Sequence, residues 1–277
     1  MINNQNFETV KVSINQSVAY ISINNPPVNV LDVKLMAEIK MILSSFSNDH
    51  SVKVIVFESE NPDFFIAHVD MSLIDHPNAF DELAKDIPDN LNVFQAFGET
   101  IRKQPQITIA KLKGIARGGG AEFIAAVDMS FASIEKGQLA QCEALMGIIP
   151  GGGATVYLKN KAGRSRALEI ILGADLFDAF TAEKYGWINR AIANHEIDQF
   201  VDRLAQNIAN VPEGVIAAAK KTLYPAGFEE EFQLESANWE ALFVKPNAEK
   251  LIRGGLKNGA QTIEGELHLE EILRKLA

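Results

Sequence analysis

Two glycine-rich stretches, each carrying one glutamate in apolar surroundings, contain the residues of this chain best suited to chemistry. The first reads ARGGGAE at residues 116–122, and the second reads QCEALMGIIPGGG at residues 141–153. Glycine lets a backbone N–H group approach a ligand closely, and a helix N-terminus directs unpaired N–H groups at it. Such a site suits an oxygen that gains negative charge during a reaction.

The two glutamates of these stretches are candidate acid–base groups. If a helix begins at the glycine triplet, Glu122 lies one turn beyond Gly119 on the same face. Apolar residues follow both Glu122 and Glu143, where a charge is costly unless it is paired or used. Two carboxylates facing one dry cavity can act as a general acid–base pair. Each alone can instead cap a helix or form a buried ion pair, and a glycine triplet alone more often marks tight helix–strand packing.

The elements that position these stretches follow from the hydrophobic pattern. Alternating apolar and polar residues predict a hairpin over residues 10–23. Apolar residues at helical spacing predict a helix capped by Asp32 and a helix over residues 91–101. Residues 75–89 are acidic and weakly periodic, which indicates a mobile surface stretch. Strands are predicted at residues 52–57, 107–115 and 129–132, and helices at residues 167–172, 200–208, 215–223, 232–242 and 263–276. The sequence therefore predicts strand–strand–helix units followed by a helical back half.

Composition restricts the classes of function. The chain has 277 residues, 47% of them apolar and 22% charged, as is usual for a soluble globular protein. A net charge of −10 argues against nonspecific nucleic-acid binding, and no apolar run is long enough to span a membrane. The five histidines lack metal-ligand spacing, so no metal site is expected. A single cysteine, Cys142, and residues 1–6 without signal-peptide features favour the cytoplasm.

Five blocks, in their order and spacing, resemble the crotonase superfamily of enoyl-CoA hydratases and isomerases. They read NPPVNVL at residues 25–31, FFIAHVDM at 64–71, KGIARGGGAE at 113–122, CEALMGIIPGGG at 142–153 and AEKYGWIN at 182–189. The resemblance implies an α/β fold with a spiral of ββα units over residues 1–195. It also implies a C-terminal helical region over residues 196–277 that assembles the chain as a homotrimer or a dimer of trimers.

The same resemblance assigns roles to individual residues. It implies an acyl-CoA thioester as substrate, with no separate cofactor because coenzyme A is part of that substrate. The backbone N–H groups of Val69 and Gly119 match the oxyanion hole of the family. By that likeness Glu122 activates water for attack at Cβ, and Glu143 shares this water and supplies the proton at Cα. Further substrate contacts are expected at Val28, Val30, Ala67, His68, Asp70, Met71 and Gly118.

Two carboxylates favour hydration of a trans-2-enoyl thioester, but two alternatives remain: an enoyl-CoA isomerase, and a CoA-binding protein without activity. His68 stands where the family usually has glycine, and its side chain either points away from the pocket or crowds the acyl group. Cys142 replaces the usual proline before Glu143. Residues 256–277 depart from the family pattern and predict an extra amphipathic helix, used for self-packing or for oligomer contact. Lys245, Lys250, Arg253 and Lys257 can meet the phosphates of coenzyme A or form a solvated helix face.

Overall fold

The computed structural model describes residues 6–223 and 228–276. Residues 1–5, on which most of the signal-peptide argument rests, lie outside this range, as do residues 224–227 and Ala277. The described strands are β1 (Val10–Asn15), β2 (Val18–Ile23), β3 (Val54–Ser59), β4 (Phe64–Ile66), β5 (Ile107–Leu112), β6 (Ile115–Arg117), β7 (Met129–Ser133), β8 (Gln138–Ala140), β9 (Phe177–Asp178) and β10 (Arg190–Ile192).

The helices carry most of the chain after residue 150. They are α1 (Val33–Ser47), α2 (Asp81–Ala84), α3 (Val93–Arg102), α4 (Gly119–Ala126), α5 (Ala154–Ala162), α6 (Arg164–Gly173), α7 (Ala179–Tyr185), α8 (Ile197–Ala209), α9 (Val215–Leu223), α10 (Glu229–Phe243), α11 (Pro246–Lys257), α12 (Ile263–Leu267) and α13 (Leu269–Leu276). Short 3₁₀ turns occupy Met71–Asp75 and Glu143–Met146. None of the helices in the described ranges is long and apolar enough to cross a membrane.

The strands within residues 10–192 form two sheets. The described strands form one sheet in the order β1-β2-β3-β5-β7-β10 and a second in the order β4-β6-β8-β9. Only the β1–β2 and β8–β9 pairs are antiparallel, and all other neighbours are parallel. Parallel neighbours require a crossover between them, so the chain alternates between the sheets and winds into a spiral. The predicted α/β fold is confirmed.

Helix α1 shows how local sequence fixes an element. The Asp32 side chain accepts a hydrogen bond from the Leu35 N–H at 2.7 Å, as predicted for an N-cap. The predicted apolar stripe is buried along its whole length, at Leu35, Met36, Ile39, Ile42, Leu43 and Phe46. This face packs into the main core, to which α4 also contributes.

The predicted strand over residues 107–115 is instead two strands in different sheets. β5 belongs to the larger sheet and β6 to the smaller one. The chain turns at Gly114, where an added Cβ would lie 2.7 Å from the backbone of Asp63. An alternating apolar pattern is the same on both sides of this turn, so periodicity alone does not reveal the change of sheet. The turn brings β6 and the glycine triplet after it to the site.

Residues 75–89 are mostly exposed, as expected of a surface stretch, but they also contain a short helix and an aromatic side chain that packs inward. Helix α2 occupies Asp81–Ala84, and the Phe80 ring meets the Phe94 ring edge-on with centroids 5.0 Å apart. Few apolar residues interrupt the acidic ones here, but Phe80 is one of them and it faces inward. This region therefore contributes a wall to the cavity described below.

The C-terminal segment is two helices, α12 and α13, and not the single amphipathic helix that was predicted. The break falls at His268, whose φ of −127° is not helical. Leu269 and Leu273 are fully buried in a cluster with Met71, Cys142 and Ile252 of the same chain. Burial of each leucine contributes about 1.5–3 kcal/mol, so self-packing accounts for these two residues, whereas Leu267 is 48% exposed. Glu266 of the same segment is fully buried.

Candidate active site

The glycine triplet begins helix α4, as predicted, and Gly118 is its N-cap. Gly118 has φ +47° and ψ −123°, a conformation that side-chain-bearing residues rarely adopt. An added Cβ there would lie 2.9 Å from Oε1 of Glu143. Glycine at this position therefore serves both the sharp turn from β6 into α4 and the close approach of a carboxylate.

Val69 and Gly119 present backbone N–H groups at the same place. Leu31 N–H donates to His68 O at 2.7 Å and Asp70 N–H donates to Leu31 O at 3.2 Å, which leaves Val69 N–H on the opposite side of its strand. Within residues 6–223 and 228–276, Val69 N–H donates no hydrogen bond, and Gly119 N–H is one of the unpaired donors of a helix start. A Cβ on Gly119 would lie 3.7 Å from Val69 N, so the two donors are neighbours.

A cavity of about 300 Å³ opens in front of these donors. Glu122 and Glu143 both line it, together with His68, Val69, Asp70, Met71, Gly118 and Gly119. The other walls are mostly apolar and include Phe80, Phe94, Met146, Trp239, Phe243 and Ile252. The volume is at the lower end of small-molecule sites, and the mixture of apolar walls with a few convergent polar groups is typical of them.

Glu122 projects from the first turn of α4 and is held by backbone donors. Its Oε1 accepts hydrogen bonds from Gly152 N–H at 2.7 Å and from Ala154 N–H at 3.2 Å. A Cβ on Gly152 would lie 2.9 Å from Cδ of Glu122, so the glycine is needed for this approach. The second predicted stretch thus contributes to the site through its glycines as well as through Glu143. With Oε1 occupied, Oε2 is the oxygen left for a ligand.

Glu143 begins the 3₁₀ turn Glu143–Met146 and is also buried. The side-chain amide of Gln141, with its nitrogen facing the carboxylate, donates to Oε1 at 3.2 Å and to Oε2 at 3.0 Å. Cys142 lies beside it, fully buried. Burial and the charge of Glu143 raise the pKa of the Cys142 thiol well above its usual range, so the thiol stays protonated and unreactive.

The two carboxylates influence each other's protonation. Burial raises the pKa of Glu143 from its usual range to about 7. Burial, the charge of Glu143 and the charge of Glu235 raise the pKa of Glu122 well above its usual range. Because each charge disfavours the other, the pair retains protons at a pH where exposed glutamates are ionised. Near neutral pH the site can therefore hold one protonated carboxyl as an acid and one ionised carboxylate as a base.

Glu235 of α10 supports this pair, and sequence reasoning missed it. It is 3% exposed and accepts hydrogen bonds from Gly153 N–H at 2.7 Å, Thr155 N–H at 2.9 Å and Gln95 Nε2 at 3.0 Å. These contacts fix the loop whose Gly152 and Ala154 hold Glu122. The available signal was a glutamate three residues after Phe232 on a predicted apolar stripe, the same oddity that drew attention to Glu122.

His68 is neither turned to solvent nor free in the pocket. It is 3% exposed, and its two ring nitrogens face the Val69 carbonyl and the Glu266 carboxylate. The backbone at His68 does not have a positive φ, so the loop does not require the usual glycine. His68 is part of the cavity wall, and of its two ring nitrogens only Nε2 is directed toward the C-terminal segment.

Three of the predicted substrate contacts lie outside the cavity lining. Val28 and Ala67 are fully buried with Phe64 and Ile115 in a small apolar cluster, against which Val30 packs. Of the basic residues 245–257, Arg253 is paired with Asp75 at 2.7 Å and with Glu249 at 2.8 Å. Among the described residues, no group of three or more His, Cys, Asp or Glu side chains is placed to bind a metal ion.

The spiral α/β fold and the glycine-initiated helix beside a carboxylate pair define a crotonase-type protein. The chain belongs to the enoyl-CoA hydratase/isomerase family, whose sequence model matches residues 13–262. It is similar to a crystal structure from Streptomyces avermitilis described as a "putative enoyl-CoA hydratase", with 54% identity and a TM-score of 0.96 over 98% of this chain and 99% of that one.

Curated relatives are more distant. A "Probable enoyl-CoA hydratase" of Bacillus subtilis is 26% identical, with 93% of this chain and 99% of that protein covered. The mitochondrial enoyl-CoA hydratase of Pongo abelii is 29% identical, with 80% of this chain and 74% of that protein covered.

Proposed function

We propose that this protein hydrates a trans-2-enoyl-CoA thioester. The observation that carries this proposal is that Glu122, Glu143 and the unpaired N–H groups of Val69 and Gly119 line one cavity. Membership of a family whose relatives bear the name hydratase supports it. An acyl-CoA isomerase uses the same oxyanion hole but needs only one carboxylate, and two are present here.

The reaction follows from this arrangement. The Val69 and Gly119 N–H groups donate to the thioester oxygen and stabilise the negative charge that develops as an enolate forms. One carboxylate takes a proton from water while the hydroxide oxygen bonds to Cβ, and the Cα=Cβ electron pair moves toward the thioester. The other carboxyl, which carries a proton, gives it to Cα. The proton taken from water then passes to that carboxyl, so one water molecule has been added and the pair is restored. Neither oxidation nor group transfer occurs, and the proposal includes no cofactor beyond the CoA of the substrate.

We assign water activation to Glu122 and proton delivery to Glu143. Two backbone N–H groups on Oε1 of Glu122 fix the direction of Oε2 and partly offset the rise in the pKa of Glu122 that burial causes. The pKa of Glu143, about 7 through burial, suits a group that must hold and release a proton near neutral pH. We propose that a single water lies between the two carboxylates.

The cavity also indicates the chemistry of the acyl group. None of the described residues that line the cavity is Lys or Arg, and most of its wall is apolar. A terminal carboxylate on the acyl chain would face Asp70, Glu122 and Glu143, while Nε2 of His68 is already paired with Glu266. We therefore propose a neutral, apolar acyl group, held against Phe94, Trp239 and neighbouring side chains.

We also propose how the subunits assemble and where coenzyme A binds. A homotrimer or a dimer of trimers would cover the exposed side chains of Leu223, Leu234 and Val244 on the trailing helices. Lys245 is the N-cap residue of α11, and Lys250 and Lys257 lie within it. Ile252 of this helix lines the cavity, so these lysines can meet phosphates of coenzyme A there.

Assaying a 2-enoyl-CoA and a 3-enoyl-CoA side by side tests the proposed function. We expect loss of the conjugated thioester and formation of a 3-hydroxyacyl-CoA from the first substrate, with the second converted more slowly or not at all. A saturated acyl-CoA of the same chain length is the control, and it should bind without turnover. Faster conversion of the 3-enoyl substrate would establish an isomerase. Binding of all three without turnover would establish a CoA-binding protein without activity.

The pH dependence of kcat/KM should have two limbs. The reaction needs one proton on the pair, so activity falls when both carboxylates are protonated and again when both are ionised. Because burial raises the pKa of both glutamates, and that of Glu143 to about 7, the acid limb should lie near neutral pH and not near the pKa of an exposed glutamate. Steady-state rates from about pH 5 to about pH 10 measure this. A profile that is flat between about pH 5 and about pH 8 would contradict the shared-proton pair.

A further inference from the structure

Two chain segments carry the oxyanion-hole donors: residues 68–69 and residues 117–119. Each of these segments, called arms below, contains a buried cationic side chain. His68 directly precedes Val69, and Arg117 lies two residues before Gly119. His68 is 3% exposed and Arg117 is fully buried. A buried guanidinium is costly unless it is paired, and both side chains meet the same partner, Glu266 of α12.

The contacts of Glu266 connect the arms. Its Oε1 lies 2.8 Å from Nε2 of His68, and its Oε2 lies 3.4 Å from Nη1 of Arg117. Gln261 N–H donates to Oε1 at 2.7 Å. Glu270 completes the group, with Oε1 2.6 Å from Nε and Oε2 3.1 Å from Nη2 of Arg117.

Hydrogen-bond roles fix the protonation of His68. Nδ1 lies 2.7 Å from the Val69 carbonyl, which can only accept, so Nδ1 carries a proton. Both oxygens of Glu266 face donors, as expected of an ionised carboxylate, so Nε2 must donate to it as well. Two donating nitrogens make His68 an imidazolium. The pKa of His68 agrees with this. Burial alone would lower that pKa, but the charge and the hydrogen bond of Glu266 raise it above its usual value.

We propose that Glu266 is a positioning residue that clamps the oxyanion hole, holding the imidazolium of His68 on one arm and the guanidinium of Arg117 on the other. The clamp fixes the distance between the Val69 and Gly119 N–H groups. Gln261 strengthens it by donating from Nε2 to Asp70 Oδ1 at 2.8 Å, on the far side of Val69. This proposal rests on the proposed function, and it assigns a task to the C-terminal segment that departs from the family pattern.

The clamp also sets the charge beside the acid–base pair. A Cβ on Gly118 would lie 2.9 Å from Oε1 of Glu143 and 3.6 Å from Cβ of His68, so the two side chains flank one residue. The positive charge of His68 lowers the pKa of Glu143 and partly offsets the effect of burial. The other titratable groups around His68 and Glu143 are Glu266, Arg117, Glu270, Asp70, Glu122, Cys142 and Glu235. Loss of the imidazolium should therefore move the acid limb of the pH profile upward.

The test compares Glu266→Gln with Glu264→Gln, a matched change at an exposed residue of the same helix. We expect Glu266→Gln to lower kcat about tenfold or more, since small displacements of catalytic groups have large effects, with KM changed much less. Its acid limb should shift to higher pH, whereas Glu264→Gln should match the parent. A folded Glu266→Gln variant with the parent's kcat and pH profile would overturn the clamp.

Two further measurements do not depend on turnover. Side-chain ¹⁵N spectra of the parent near neutral pH should show both nitrogens of His68 protonated, and in Glu266→Gln one of them should lose its proton. A saturated acyl-CoA labelled with ¹³C at the thioester carbonyl should show a carbonyl shift on binding to the parent that is smaller in the variant. A neutral His68 in the parent would overturn the proposal, even if the protein proved not to be a hydratase.

His68→Gln provides a second variant if Glu266→Gln does not fold. The amide can donate to Glu266 but cannot also donate to the Val69 carbonyl, and it carries no charge. We expect the same loss of kcat and the same upward shift of the acid limb. Unchanged kinetics in this variant would contradict the proposal as clearly as unchanged kinetics in the first.

Discussion

Replacing Glu122 or Glu143 with glutamine should lower kcat for hydration by about 10²-fold or more, because each change removes a proton donor or acceptor that contributes on this scale. Glutamine keeps the shape of the side chain, and its carbonyl oxygen can still accept from Gly152 N–H at residue 122. KM should change less than kcat, since the apolar walls and the N–H donors that bind the substrate remain. Steady-state kinetics with a 2-enoyl-CoA measure both constants.

Stability should not explain this loss. The folded-state pKa of each glutamate is raised, so ionisation above the unfolded-state pKa costs the folded protein stability as pH rises. Glutamine removes that cost, so the variants should melt at a temperature at least as high as that of the parent at pH 7 or higher. Glu240→Gln, a change at an exposed residue of α10, is the matched control and should have the parent's activity.

The double variant tests whether the two residues act as a unit. If they share one water and one proton, Glu122→Gln and Glu143→Gln together should cost little more than either alone. Losses that multiply would indicate independent roles. Full activity in both single variants would place the chemistry outside this pair.

The parts of the fold that could be predicted from sequence are those governed by local pattern. The stripe of α1, its Asp32 cap and the start of α4 at the glycine triplet all depend on residues within one or two turns of each other. The change of sheet at Gly114 could not be predicted this way, because it depends on contact with Asp63, about fifty positions earlier in the chain. The same holds for Phe80, whose inward direction is set by its contact with Phe94.

The same distinction between local pattern and long-range contact applies to the residues of the candidate site. Glu122, Glu143, Val69 and Gly119 lie in compact blocks whose resemblance to a family could be read directly. Glu235 and Glu266 reach the site from distant helices, and each looks in sequence like one more acid on an amphipathic helix. Burial of a carboxylate becomes visible only when its partners are known, which for Glu266 are His68 and Arg117, about two hundred and one hundred and fifty residues away.

Replacing Gly119 with alanine should lower kcat by about 10²- to 10³-fold, the effect of losing one oxyanion-hole donor. An added Cβ would lie 2.6 Å from Cγ2 of Val69 and 3.3 Å from Cδ2 of Leu31. Val69 must move to relieve this contact, and its N–H group then no longer converges with that of residue 119 on one oxygen. The backbone at Gly119 does not have a positive φ, so alanine is disfavoured by its close contact with Val69 and not by the backbone conformation.

The design separates this displacement from a general loss of folding. Gly173→Ala is the matched control, because at this residue of α6 the nearest atom to an added Cβ is Oδ2 of Asp175 at 3.9 Å. Overpacking at residue 119 should cost about 1–3 kcal/mol of stability, which leaves a typical domain folded at 25 °C. Rates are therefore measured on protein shown to be folded by its far- and near-ultraviolet circular dichroism. A folded Gly119→Ala variant that turns over a 2-enoyl-CoA at the parent's rate would contradict this prediction. It would show that the convergence of the N–H groups of Val69 and residue 119 is not required, and that the thioester oxygen binds elsewhere.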